Sequence, residues 1–207
     1  AKGDWQTARE FTEQGLAISP QESTVMGARA LVGYQLGETE AGDAYLNILF
    51  ENYQAGAFDS GFQANHTVPA VVIPMVSYIT GIEARFEFVE DIARSVFSSP
   101  DANPSATNAA HIGLALIAAQ RGHETAAKEL YGALQPIAGT MAPTCSYGPG
   151  LAVDRIRGLL SQTMGNLDQA ADNFEHAAAF CRKAGYRPEL GWTCCDYADA
   201  LSLRNGP

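Results

Sequence analysis

The chain has 207 residues with 23 acidic against 13 basic side chains, a net charge of −10, and a hydrophobic share of 46% that gives it material for a buried core and argues against disorder. The acidic balance argues against a phosphate-binding surface, and no apolar run approaches the roughly 20 residues that span a bilayer. Four cysteines (Cys145, Cys181, Cys194, Cys195) are too few and too irregular for a secreted disulfide framework, so the expected setting is soluble and cytoplasmic, with neither nucleic acid nor membrane as partner.

Along the chain, short segments close on a glycine at Gly3, Gly37, Gly81, Gly122, Gly165 and Gly206, at spacings of 34, 44, 41, 43 and 41 residues. Apolar residues at helical spacing lie on both sides of each. Before Gly165 come Leu151, Ile156, Leu159, Leu160 and Met164; after it come Leu167, Ala170, Ala171, Phe174, Ala177, Ala178 and Cys181. Each glycine therefore reads as the end of one helix and the turn into the next, where a positive φ costs glycine little. Asp4, Glu38, Glu40 and Asp168 fall in the first turn of the following helix, where the dipole favours them. Ala8, Ala127 and Ala170, five residues past their glycines, let paired helices approach closely.

The segment Ser98–Pro104 reads as a loop, as does Gly139–Pro143, which leads to Tyr147–Gly150. Val68–Pro74 is β-branched, but two prolines spoil a central strand, and it reads as the start of a helix. The expectation is an all-α chain of about ten helices in antiparallel pairs, stacked as a right-handed superhelical solenoid over residues 1–207 as a single repeat domain.

These residues carry a resemblance. Gly3, Asp4, Trp5, Ala8, Gly15, Leu16 and Pro20 resemble the second helix of a tetratricopeptide repeat, and Gly158, Gly165, Ala170, Phe174 and Ala177 occupy the matching small and aromatic positions in a later copy. Periods of 41 to 44 depart from the standard of about 34 residues and imply extended helices or loops. The C-terminal third, from Leu130 through Tyr147 to Gly185–Pro188 and Asp196–Ala198, is similar to the helical repeats that follow the NTPase module of large bacterial signalling proteins, including LuxR-type regulators and proteins with a nucleotide cyclase or kinase domain. The resemblance implies a protein-binding or regulatory module, cut from a longer multidomain protein.

Motifs for chemistry are sparse. The histidines (His66, His111, His123, His176) lack HExxH or i, i+4 spacing; His123 and His176 read as solvent-facing and His111 as a core or groove residue. Cys194 and Cys195 are adjacent, diverge on a helix and read as packing residues. There is no GxxxxGK[ST] loop and no GxSxG elbow; Gly148–Gly150 reads as a loop, and the acceptor pattern Asn65–Thr67 as a chance match. Asp196 and Asp199, three apart, could share a cation or pair with Arg204, but read as a solvated face. No cofactor, metal or catalytic role is expected.

What remains is surface. Counting back from each glycine, positions two or three, six and ten before it point into the concave groove of a helix-pair stack. This selects Tyr34, Gln35, Tyr78, Gln120, Arg155, Gln162, Asp196 and Arg204 as the partner-binding groove, with Met75 and Leu159 read as packing between repeats. Tyrosine, amide and arginine side chains suit recognition of a protein, a peptide or another domain of the same chain. Two alternatives stand beside this scaffold reading: a groove that senses a small molecule or short peptide, and a helical enzyme, which would need a strongly perturbed acid–base pair in a deep pocket. Self-association through exposed ends is a further expectation.

Overall fold

The computed structural model describes residues 2–56, 62–142 and 150–206, with only the backbone of 62–66. Among these residues there are ten α-helices: α1 (Trp5–Ile18), α2 (Ser23–Gln35), α3 (Thr39–Ala55), α4 (Phe62–Thr80), α5 (Phe86–Ser98), α6 (Pro104–Gln120), α7 (Glu124–Ala133), α8 (Val153–Thr163), α9 (Leu167–Ala184) and α10 (Arg187–Asn205). The chain is all-helical in class, with neighbouring helices packed in pairs. One feature was not expected: β1 (Met141–Ala142) pairs antiparallel with β2 (Leu151–Ala152), so Leu151 belongs to a strand rather than to the helix before Gly165. Cys145, Tyr147 and most of Gly148–Gly150 lie outside the described residues, as do the side chains of Asn65 and His66.

The glycine turns are where the spacing places them. Gly37, Gly81, Gly122 and Gly165 each separate two helices, and each has φ between +63° and +76°. In three of these turns only three residues divide the helices (Leu36–Glu38, Arg121–His123, Met164–Asn166). Two packed helices joined so tightly must run antiparallel, as α2–α3 and α8–α9 do. The turn at Gly81 is longer. Five residues divide α4 from α5, and Arg85, which ends the turn, has φ +63°, the one non-glycine residue of positive φ among those described.

By packing, the chain divides into a unit made of Asp4–Gly113 and a unit made chiefly of Leu114–Ala142 and Gly150–Pro207. In the first, α2 is central: α1, α3 and α4 all pack on it, and α4 packs on α5. Backbones touch where side chains vanish. A Cβ on Gly33 would lie 2.9 Å from the Gly42 nitrogen, and one on Gly42 would lie 2.8 Å from the Tyr34 ring, so α2 and α3 meet through a pair of glycines that Tyr34 overlies. The segment Val68–Pro74 is helical, but inside α4 rather than at its start. Pro74 has no N–H for the Ala70 carbonyl. That oxygen instead approaches Gly113 of α6, where a Cβ would sit 2.1 Å from it.

In the second unit α7, α8, α9 and α10 pack in succession, with β2 against α8 and α9. Ala170, Phe174, Ala177 and Cys181 of α9 are fully buried, as their spacing requires, and the Phe174 ring covers Gly158 of α8 at 2.6 Å from where a Cβ would stand.

Candidate functional site

The first unit holds a cleft of about 640 Å³ lined by Tyr34, Thr39, Asp43 and Leu46 of α2 and α3, by Ile73, Val76, Ser77, Ile79 and Thr80 of α4, and by Ile82, Ala84 and Arg85 of the long turn. Its position follows from the departure in the rhythm. At Gly3, Gly37, Gly122 and Gly165 a small residue, Ala8, Gly42, Ala127 or Ala170, follows five positions on; after Gly81 that place is taken by the buried Phe86, and the turn is two residues longer than the other three interhelical glycine turns.

Leu46, Ile73 and Val76 are buried and form an apolar floor. Three polar groups converge on it. The Tyr34 hydroxyl donates to Asp43 Oδ1, and burial, with this hydrogen bond, pushes the phenol well above its ordinary range, so Tyr34 stays a protonated donor. Arg85 donates from Nη2 to Asn47 Oδ1 at 2.5 Å and lies over the Phe50 ring at 4.7 Å. No carboxylate among the described residues pairs with it. Ser77 is 2% exposed, and its Oγ has no hydrogen-bond partner. A buried hydroxyl without a partner costs about 1–3 kcal/mol; this Oγ lies beneath the cleft surface, so a ligand bonds it only when the wall side chains move aside.

The structure distributes the sequence-derived groove residues over both units. Tyr34 joins the cleft; Gln35, the last residue of α2, and Tyr78 of α4 are half-buried. In the other unit Gln120 caps its own helix, Nε2 donating to the Leu116 carbonyl at 3.0 Å, and the Gln162 Oε1 is buried without a partner. Arg204 pairs with Asp168 at 3.4 Å on the exposed surface. Met75 and Leu159 are buried, in keeping with packing roles.

Arg155 and Asp196 are brought together, but inside the unit. Arg155 Nε donates to Asp196 Oδ2 at 2.5 Å and Nη1 to Glu189 Oε2 at 3.2 Å, all three side chains being buried, with Trp192 5.7 Å from the guanidinium. Glu189 Oε1 also accepts the Ala152 N–H at 2.8 Å, tying β2 to α10. Burial pushes the Glu189 carboxyl up to about 6 against the opposing pull of Arg155 and the Ala152 N–H, and the neighbouring Asp196 carboxylate adds to the rise. This corrects the solvated-face reading of Asp196: it faces α8, not Arg204. The face of α10 that is covered could not be read from polar spacing alone.

Cys194 and Cys195 are exposed, not packing residues, since they lie on the uncovered side of α10. The buried thiol is Cys181, which its apolar surroundings push up to about 11, away from thiolate reactivity. His123 is exposed and caps α7, Nδ1 accepting the Ala126 N–H at 3.2 Å. His111 is half-buried against Phe97 at 4.9 Å, and burial lowers its affinity for a proton. No group of three metal-ligating side chains occurs among the described residues, and none of their helices is long and apolar enough to cross a membrane. No family model, curated protein or solved structure matches the chain.

Proposed function

We propose that the chain is a recognition module rather than a catalyst, in which the cleft among α2, α3, α4 and the long turn takes a small ligand or short peptide segment. The observation that carries this reading is the preformed apolar floor with the unpartnered, buried Ser77 hydroxyl in its wall. A volume of about 640 Å³ falls among ordinary ligand sites, and a site that already exists needs little ordering on binding. Occupancy would be passed to a protein partner or another domain of the same chain. A screen of fragments and short peptides by thermal shift tests it: a ligand at about 100 times its Kd raises stability by roughly 2.7 kcal/mol. Ser77→Ala should remove the shift; a diverse library in which no compound acts through the cleft overturns the proposal.

A second reading, a scaffold for protein partners, is favoured by α1. Phe11 and Ile18, seven positions apart on one helix face, are 68% and 86% exposed. The tetratricopeptide resemblance extends this reading to a right-handed superhelical stack within a bacterial signalling or transcriptional regulator of the cytoplasm. Its support is the shared turn geometry and the Gly158–Phe174 contact. Under this reading a Phe11→Ser, Ile18→Ser double variant loses self-association or partner binding while keeping its melting temperature. A variant that associates like the parent counts against it.

A further inference from the structure

We propose that the cleft binds a free aliphatic α-amino acid, with the ammonium group on Asp43, the carboxylate on Arg85 and Ser77, and the side chain against Leu46, Ile73 and Val76. This rests on reading the cleft as a recognition site and names its ligand class. The cleft carries two opposite charges. Asp43 and Arg85 both line the cleft, and both act on Tyr34, the carboxylate raising and the guanidinium lowering its proton affinity. Asp43 is exposed and Arg85 half-buried; an anion in the cleft would be repelled by Asp43 and a cation by Arg85. A zwitterion answers both.

Spacing then sets its size. Arg85 is bonded to Asn47, four residues beyond Asp43 on the same face of α3, so Asp43 and the residue that holds Arg85 are neighbours one helical turn apart. That separation suits an ammonium and a carboxylate borne on one carbon better than the two ends of a longer peptide.

The remaining groups agree. The Tyr34 hydroxyl donates a hydrogen bond to Asp43 Oδ1 and so orients that carboxylate. Arg85 is held in a left-handed backbone conformation that a non-glycine residue rarely adopts, and such strain concentrates at ligand clamps. Ser77 supplies a buried hydroxyl that lacks an acceptor. The walls (Ile73, Ile79, Ile82 and Leu46) are branched aliphatics, which fit an aliphatic side chain.

The test is titration of the protein, labelled at isoleucine δ1 methyls, with L-leucine, L-leucyl-L-leucine, 4-methylpentanoate, 3-methylbutylamine and the uncharged 4-methylpentan-1-ol. L-leucine should shift the Ile73, Ile79 and Ile82 methyls. Removing either charge from the ligand, or making Asp43→Asn or Arg85→Gly, should weaken binding by about tenfold or more. Arg85→Gly relieves the strained φ, so an unchanged or raised melting temperature will show that it still folds. Equal binding of the acid, the amine and the alcohol overturns the amino-acid inference and leaves the cleft as an apolar site. A dipeptide that binds about tenfold tighter than leucine overturns it in favour of a peptide terminus. If none of the five shifts these methyls, the amino-acid inference fails, while the cleft reading stands or falls on the wider ligand screen.

Discussion

Gly113 carries the closest backbone approach described in the fold, and its cause lies in another helix. Because Pro74 leaves the Ala70 carbonyl without its helical donor, that oxygen occupies the space a side chain at Gly113 would need. Gly113→Ala should therefore cost about 3 kcal/mol or more in chemical denaturation. Gly191, exposed inside α10 with nothing within 4 Å of a Cβ, should behave oppositely, and Gly191→Ala should gain about 1 kcal/mol. Equal effects at the two sites would remove the steric explanation. Glu189 adds a pH dependence. Its carboxyl ordinarily titrates near 4.5 but is raised to about 6 in the fold, so the folded chain holds the proton more tightly than the unfolded one. This contribution is present in full below pH 4.5 and is lost as pH rises through about 6, a change of about 2 kcal/mol. Denaturation of Glu189→Gln against the parent across that window should show the difference; parallel pH profiles would place the raised proton affinity elsewhere.

At the scale of elements, Arg155 joins α8 to α10 through Asp196 and Glu189, and Glu189 in turn holds β2 by the Ala152 amide. Removing the cation leaves two buried carboxylates facing each other, so Arg155→Ala should cost about 3–5 kcal/mol, with the loss reduced at low pH where Glu189 is protonated. A pH-independent loss would mean that packing, not charge, dominates. The spacing rule brought out Arg155 and Asp196 but not their role or Glu189, because it tells which side of a helix faces a neighbour in an ideal stack and not which charges meet there. Tyr34 was legible by the same rule. Its companions in the cleft were not: Ser77 lies one residue before Tyr78 on another face, and Arg85 lies in a turn that the rule does not cover.

Over the whole molecule one device recurs. Gly37, Gly81, Gly122 and Gly165 have positive φ and nothing within 4 Å of a Cβ, so alanine at each should cost the backbone term alone, about 1 kcal/mol. Similar losses of melting temperature at all four would mark them as equivalent hinges; a loss several times larger at one would show that its turn does more than reverse the chain.

Helix class, the approximate number of helices and the turns at Gly37, Gly81, Gly122 and Gly165 were written locally, in apolar spacing and in glycines that enter the left-handed region cheaply. Such signals need no knowledge of distant residues. The cleft, the Arg155–Glu189–Asp196 lock and the Ala70–Gly113 contact depend on residues tens of positions apart, and only packing decided which helix faces came together. An unsatisfied hydroxyl, a strained arginine and a shared cation are properties of that juxtaposition, and a linear pattern of residue types does not contain it.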